Sequence, residues 1–333
     1  MNSAQRHILI VGVGSIGERH VRCFRATGRC TLAICEPQEA LRNEVGERYN
    51  VNSYPNWETA LEREHFSAAV IATPAPWHIP IAKGLTEKRL NLLIEKPLSL
   101  STDGVLQLAE SIQMHETRVA VGFVYRALPA LQRMRAAVQA GRFGHLVQIQ
   151  VQAGQHFPFY RPAYREIYYA NPALGGGLIQ DMLPHFLNAV EWFAGPTTKV
   201  VVDAEHQVLP GVDVEDTVHL LTRHNQVMAS FSLNQHQPVN ESVITVLCER
   251  GAARWELSGH RWLSASEIGG DWIEEESFVH QRDDYYILQA NAFLDYLDGQ
   301  SEPLCTLAEA TSTLHATLAI LQSRKSGCWV ACP

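Results

Sequence analysis

Two kinds of hydrophobic pattern divide the chain. In the first third, short runs at residues 7–11, 31–35, 68–72, 90–94 and 119–124, largely apolar, and a short strand at 51–53 alternate with segments of helical period at 18–27, 39–48, 57–64, 79–88 and 102–115. Continuous apolar runs suit strands buried on both faces. Regular strand–helix repetition predicts a parallel, doubly wound α/β sheet, whose ligands lie beyond the carboxyl ends of the strands. That rim carries Gly12-Val13-Gly14, Glu36, Thr73-Pro74, Glu95-Lys96-Pro97 and Tyr125-Arg126.

After a helix over 128–140 the period changes. Residues 147–152 alternate strictly between an apolar row and a glutamine row, and similar strands follow at 199–208, 217–222, 227–234 and 242–249, with shorter ones at 254–257, 261–264 and 272–278. This pattern predicts a second, α+β domain on a large, mostly antiparallel sheet with one packed face and one open polar face. Amphipathic helices close the sequence at 284–297 and 307–323. The expected division is a dinucleotide-binding domain over 1–124 and a substrate and oligomerisation domain over 125–333, whose last helices can pack back on the first. An open polar sheet face is also a surface on which subunits meet, so a homodimer or homotetramer is expected.

The candidate chemistry sits in a few local patterns. The first strand runs into Gly12-Val13-Gly14-Ser15-Ile16-Gly17, a G-x-G-x-x-G turn that opens a helix. This spacing turns the chain at Gly12, brings Gly14 and the amides of Ser15 and Ile16 against a pyrophosphate, and packs helix on strand at Gly17. The second strand ends at Glu36, which accepts from ribose hydroxyls and repels a ribose phosphate, favouring NAD over NADP. Thr73 and Pro74 border the nicotinamide, with His78 at a helix start near the cleft and Glu95 beside Lys96. Pro97 fixes the backbone after Lys96, through a cis bond if one forms. Two roles fit Lys96: orienting a substrate oxygen and stabilising its charge, or pairing with a surface carboxylate.

Gly175-Gly176-Gly177 leads into a helix of about four turns that stops at Gly195-Pro196. Asp181 and His185 lie four residues apart, on one face of that helix, and two roles fit them: a proton-transfer pair, or a surface Asp–His pair behind a glycine linker. Pro184 lies inside the pair and predicts a kink. Upstream, residues 157–165 carry Tyr160, Arg161, Tyr164 and Arg165. Two roles fit this loop as well: aromatic and guanidinium contacts to a polyhydroxylated substrate, or the anchors of an interface.

Composition narrows the classes. Of 333 residues 19% are charged and 46% hydrophobic, and the net charge of -8 gives no footprint for nucleic acid or an anionic membrane. No apolar segment reaches transmembrane length. Seven scattered cysteines, an odd number, favour reduced thiols and a cytoplasmic location, and no metal-ligand cluster is apparent.

The ordered set Gly12-x-Gly14-x-x-Gly17, Thr73-Pro74, Glu95-Lys96-Pro97 and the run from Gly175 to His185 resembles the glucose–fructose oxidoreductase / inositol dehydrogenase (Gfo/Idh/MocA) family over essentially the whole chain. The resemblance implies a Rossmann domain with a nicotinamide cofactor, NAD, and a sugar, sugar derivative or cyclitol as substrate. It implies that Lys96 binds the reacting oxygen, that Asp181 contacts substrate and supports the site, and that His185 accepts the proton. Arg126 joins them as a substrate contact at the rim. The substrate is then expected between the rim of the first domain and the Gly175 helix. Asn188 stands where many members carry an aspartate, which removes a charge from the substrate wall. Two further readings of the same resemblance are a glycosidase that retains NAD through a cycle of oxidation and re-reduction, and a sugar sensor without catalysis. The trio Lys96, Asp181 and His185 argues against the sensor.

Overall fold

The six expected strands form as β1 (Arg6–Val11), β2 (Cys30–Cys35), β3 (Asn52–Tyr54), β4 (Ala68–Ile71), β5 (Asn91–Ile94) and β6 (Val119–Val121). All are parallel, in the order β3-β2-β1-β4-β5-β6. The helices between them are α1 (Ser15–Ala26), α2 (Glu39–Tyr49), α3 (Trp57–Arg63), α4 (His78–Glu87) and α5 (Val105–His115). The computed structural model describes residues 5–333. Two units divide the chain: Met1–Ala127 with Gln281–Ala310, and Leu128–His280 with Thr311–Pro333.

In the first unit, Ile8, Ile10, Val70 and Leu93 from the sheet share a core with Val21 and Phe24 of α1. The helix Asp284–Leu297 completes it with Ala290, Phe293, Leu294 and Leu297. Phe293 meets Phe24 edge to face at 6.2 Å, a preferred aromatic geometry. A split at residue 124 therefore does not cut the chain into two continuous pieces. The expected strand over 119–124 also ends early, at Val121, and the chain turns through a 3-10 segment at Val124–Ala127.

The second unit holds the nine strands β7 (Leu146–Gly154), β8 (Lys199–Glu205), β9 (Thr217–His224), β10 (Val227–Asn234), β11 (Glu241–Cys248), β12 (Gly251–Glu256), β13 (Arg261–Ala265), β14 (Ile273–Ser277) and β15 (Val330–Ala331). Their order is β14-β13-β12-β11-β7-β10-β9-β8-β15, antiparallel except where β7 and β10 run parallel. Strand β8 stops at Glu205 rather than 208 because the buried Asp216 carboxylate takes the N–H groups of Gln207, Val208 and Leu209 at 2.7–3.0 Å. Those amides are then lost to any ladder.

The alternation of apolar and polar residues settles which face of this sheet is covered. Ile149 and Val151 of β7 and Ala229, Phe231 and Leu233 of β10 are buried. Over that face pack α6 (Pro129–Gln139), α8 (Leu178–Asp181) and α9 (Leu183–Ala194); α7 (Phe157–Tyr160) lies in the preceding loop. The other row, with Gln150, Gln152, His219, Ser230, Ser232 and Thr245, lines a groove of about 950 Å³. Among the described residues no helix is long and apolar enough to cross a membrane.

Two of the three glycines of the opening turn make a contrast that measurement can resolve. A Cβ on Gly17 would lie 1.9 Å from the Gly12 carbonyl oxygen, whereas one on Gly14, at φ -60°, would meet nothing within 4 Å. Gly17→Ala is predicted to destabilise the protein by about 1–3 kcal/mol, as overpacking does. Gly14→Ala is expected to stay within about 0.5 kcal/mol of the parent. Chemical denaturation of both variants checks this, and equal stabilities would contradict the packing described.

Candidate active site

In the first unit the strand ends bring the expected groups to one edge. The Gly12 N–H donates to the Cys35 carbonyl at 2.9 Å, tying the turn after β1 to the end of β2. Helix α1 starts at Ser15, and its first-turn amides have no partner within the helix. Glu36 sits half-buried at the end of β2, with one carboxylate oxygen accepting the Val13 N–H and the other the Gln38 N–H, both at 3.1 Å. Two backbone donors fix its orientation and leave lone pairs for hydroxyl donors. Thr73, at the end of β4, has a buried hydroxyl with no hydrogen-bond partner. Open space above Gly14, a fixed carboxylate and an unsatisfied hydroxyl fit a dinucleotide along this edge.

Glu95, Lys96 and Pro97 follow β5, and the Lys96–Pro97 bond is cis. Glu95 is buried and Lys96 partly so. One Glu95 oxygen lies 2.6 Å from His20 Nε2, and the other accepts the Lys96 N–H at 3.0 Å. Burial works to raise the Glu95 carboxyl, but the bond and charge of His20, the Lys96 charge and the Lys96 N–H hold it below its ordinary value. Ionised, it only accepts, so His20 donates through Nε2.

Two expected ligand contacts take other roles. His78 is buried at 1% exposure, with Nδ1 at 2.9 Å from the Pro97 carbonyl and Nε2 at 2.8 Å from the Thr73 carbonyl. Burial keeps its imidazole below the ordinary value, against the pull of both carbonyls and Glu95. It spans two strand-end loops instead of meeting the cofactor. Arg126 is also buried, its guanidinium paired with Glu309 and with the Leu304 carbonyl at 3.1 Å. A fully covered guanidinium held by a carboxylate belongs to the packing of this unit and not to a substrate wall.

In the second unit the glycine run is shaped by backbone contact. A Cβ on Gly176 would lie 2.2 Å from the Tyr169 carbonyl oxygen, and the Gly177 N–H donates to that oxygen at 3.1 Å. The run therefore lies against the chain at Tyr168–Tyr169, which is the physical reason for its glycines. Glu215 accepts the Ile179 N–H at the start of α8 at 3.0 Å and the Arg324 guanidinium at 2.7 Å.

The expected four-turn helix is two helices. Helix α8 ends at Asp181, Met182 intervenes, and α9 begins at Leu183 with Pro184 in its first turn, where a missing N–H costs nothing. Asp181 and His185 thus flank a break, both partly buried. Asp181 accepts from the hydroxyl of Tyr168 at 2.8 Å. Asn188 is buried in α9, donating to Thr313 Oγ1 at 2.9 Å, so its place is in the packing of this unit.

The residues of the loop 157–165 differ in how they are held. Tyr164 is buried in a cluster with Phe157 and Tyr169, and its hydroxyl donates to the Pro210 carbonyl at 2.6 Å. Arg165 donates to the same carbonyl at 2.7 Å. Burial removes Tyr164 from substrate contact, and Arg165 is committed to the loop. Tyr160 and Arg161 remain exposed.

Tyr168 and His20 carry no signal of their own in the sequence. Tyr168 reaches Asp181 only because the glycine run folds back, and His20 meets Glu95 across 75 positions of sequence. A histidine on the inward face of α1 and a glutamate ending an apolar strand are the one hint available for that pair.

Known proteins resemble the chain in both units. Residues 6–123 match the oxidoreductase family's NAD-binding Rossmann fold, and residues 131–254 match the GFO/IDH/MocA C-terminal domain. An inositol 2-dehydrogenase of Corynebacterium glutamicum (strain R) is 26% identical over 299 residues, 85% of this chain and 81% of that protein. The fold is shared with a levoglucosan dehydrogenase solved with NADH, at TM-score 0.87 and 17% identity, covering 98% of this chain and 99% of the other. It is shared equally with the WlbA dehydrogenase of Bordetella pertussis solved with NADH and UDP-GlcNAcA, at TM-score 0.81 and 20% identity over 99% of each chain. The chain belongs to the GFO/IDH/MocA family of oxidoreductases, with an NAD-binding Rossmann domain followed by the family's C-terminal domain.

Proposed function

We propose that this protein oxidises a secondary hydroxyl of a cyclitol or sugar, or reduces the corresponding ketone, with Lys96, Asp181 and His185 as its working residues. The observation that carries the reading is that each unit holds one prepared group. A lysine follows a buried, fixed glutamate at the end of β5, and an imidazole stands one turn beyond an aspartate that Tyr168 orients. NAD, when bound, accepts the hydride. His185 takes the hydroxyl proton, a role for which histidine is the side chain most often used. Lys96 holds the oxygen and offsets the charge that grows on it. Asp181, steadied by Tyr168, faces the same hydroxyls and fixes the substrate against rotation. A cyclitol is the first class to test, because the inositol 2-dehydrogenase relative spans most of the chain.

Gly12, Gly14, Ser15, Ile16 and Gly17 hold the pyrophosphate in this reading, Glu36 the adenosine ribose, and Thr73 and Pro74 the nicotinamide side. Tyr160 and Arg161 are the exposed candidates for outer substrate contacts. The polar face of the nine-stranded sheet, with its groove of about 950 Å³, is the surface on which we place a homodimer or homotetramer contact. Seven cysteines, none in a disulfide, accord with a reducing cytoplasm.

Three outcomes check the reading. His185→Ala should lower single-turnover NAD reduction by about two to four orders of magnitude, the scale of a lost general base, with NAD affinity retained; an unchanged rate and pH profile would refute the assignment. Glu36→Ala should narrow the margin by which NAD binds more tightly than NADP, measured by calorimetry, and equal affinities in the parent protein would remove the role given to Glu36. Tyr168→Phe should slow turnover by about tenfold through its lost bond to a carboxylate, and full activity would show that Asp181 needs no such support.

A further inference from the structure

The turn that carries Lys96 is held on both sides by buried histidines. On one side, His20 Nε2 binds Glu95 at 2.6 Å, and the same carboxylate accepts the Lys96 N–H at 3.0 Å. His20 is completely buried, with its ring tilted on Phe24 at 6.0 Å and edge-on to Tyr286 at 5.8 Å, so it is packed in place from α1 and from the helix Asp284–Leu297. Gly122, at the end of β6, leaves the carboxylate its space: a Cβ there would come within 3.1 Å of Glu95 Oε1. On the other side, His78 reaches the carbonyl of Pro97 at 2.9 Å and that of Thr73 at 2.8 Å. Residues 95 and 97 are therefore each tied to a different helix through an imidazole, and Lys96 lies between them.

We propose that His20 and His78 are positioning residues for Lys96, a pair of buried braces that set where its backbone stands and hence where its ammonium reaches. The proposal rests on the reading of Lys96 as the oxygen-binding group. The neutral imidazole of His78 has one N–H, so it donates to the Pro97 or the Thr73 carbonyl and its ring lies against the other, keeping both strand-end loops in contact with α4. Positioning of this kind matters because a displacement of about 1 Å from a remote change can cost about a hundredfold in rate. The carboxylate between His20 and Lys96 makes the brace directional. Without the imidazole it is a buried charge with one donor fewer, and it must move toward water or toward the lysine.

The test reads Lys96 directly. The chain has five lysines, so reductive ¹³C-methylation gives few NMR signals, and Lys96→Arg identifies the one from Lys96. In His20→Leu and His78→Leu that signal should shift or broaden while the other four stay. His20→Gln, whose amide nitrogen can stand near Nε2, and His78→Asn, whose amide can stand near Nδ1, should move it back toward the parent. With NAD held saturating and myo-inositol as the probe, kcat should fall by at least about tenfold in the leucine variants, with partial recovery in the amide variants. Should a leucine variant fail to fold, Glu95→Gln, which keeps the shape and loses the charge, takes its place with the same expected shift. Folded variants whose Lys96 signal matches the parent would overturn the proposal. Full turnover in Lys96→Ala would instead overturn the functional reading, and the NMR arm would still decide the brace.

Discussion

The Glu95 carboxylate reaches in two directions, to His20 on α1 at 2.6 Å and to the backbone of Lys96 at 3.0 Å, and it is 4% exposed. A buried charge is tolerated only when its partners stand in place. That requirement ties the position of α1 to the end of β5. Helix α1 is itself pressed so closely on the turn after β1 that only glycine fits at position 17. In the function proposed above, the helix whose first amides meet the dinucleotide is also the helix that fixes the lysine turn. Cofactor edge and lysine share one set of contacts, all within the first unit.

The second unit holds its own residues through close backbone contact and an ion pair. Its glycine run lies against the backbone of Tyr169, and Glu215 with Arg324 anchors the start of α8. The helix break at Met182 then sets Asp181 at the end of one helix and His185 in the first turn of the next. Pro184 serves this break without loss, because a first-turn position has no intrahelical bond for it to remove. Tyr168 donates a hydrogen bond to Asp181 at the end of α8.

How much of this was legible follows from how local each feature is. The glycine turn, Glu36 and the lysine turn were readable because each is written within a few residues and its conformation is dictated by those residues. The nine-stranded sheet was readable from strict alternation, since only one side of each strand is buried. The return of 281–310 to the first unit was not fixed, because amphipathic period shows that a helix has an apolar face but not which core receives it. Tyr164 and Arg165 look the same in sequence as Tyr160 and Arg161, yet both donate to the Pro210 carbonyl, and Tyr164 alone of the four is buried. Tyr168 and His20 depend on contacts across a folded loop and across the sheet, which no spacing rule encodes.

The central claim is that hydride leaves a ring carbon of the substrate and departs with the released cofactor. It is tested most directly by offering NAD and cyclitols or sugars deuterated at the ring carbons, then analysing the nucleotide set free by mass spectrometry. The account predicts released NADH carrying one deuterium per turnover, together with a ketone product, and loss of both in the Lys96→Ala protein. Hydrolysed glycoside with NAD retained on the protein, or ligand binding with no deuterium transfer across the panel, would contradict it.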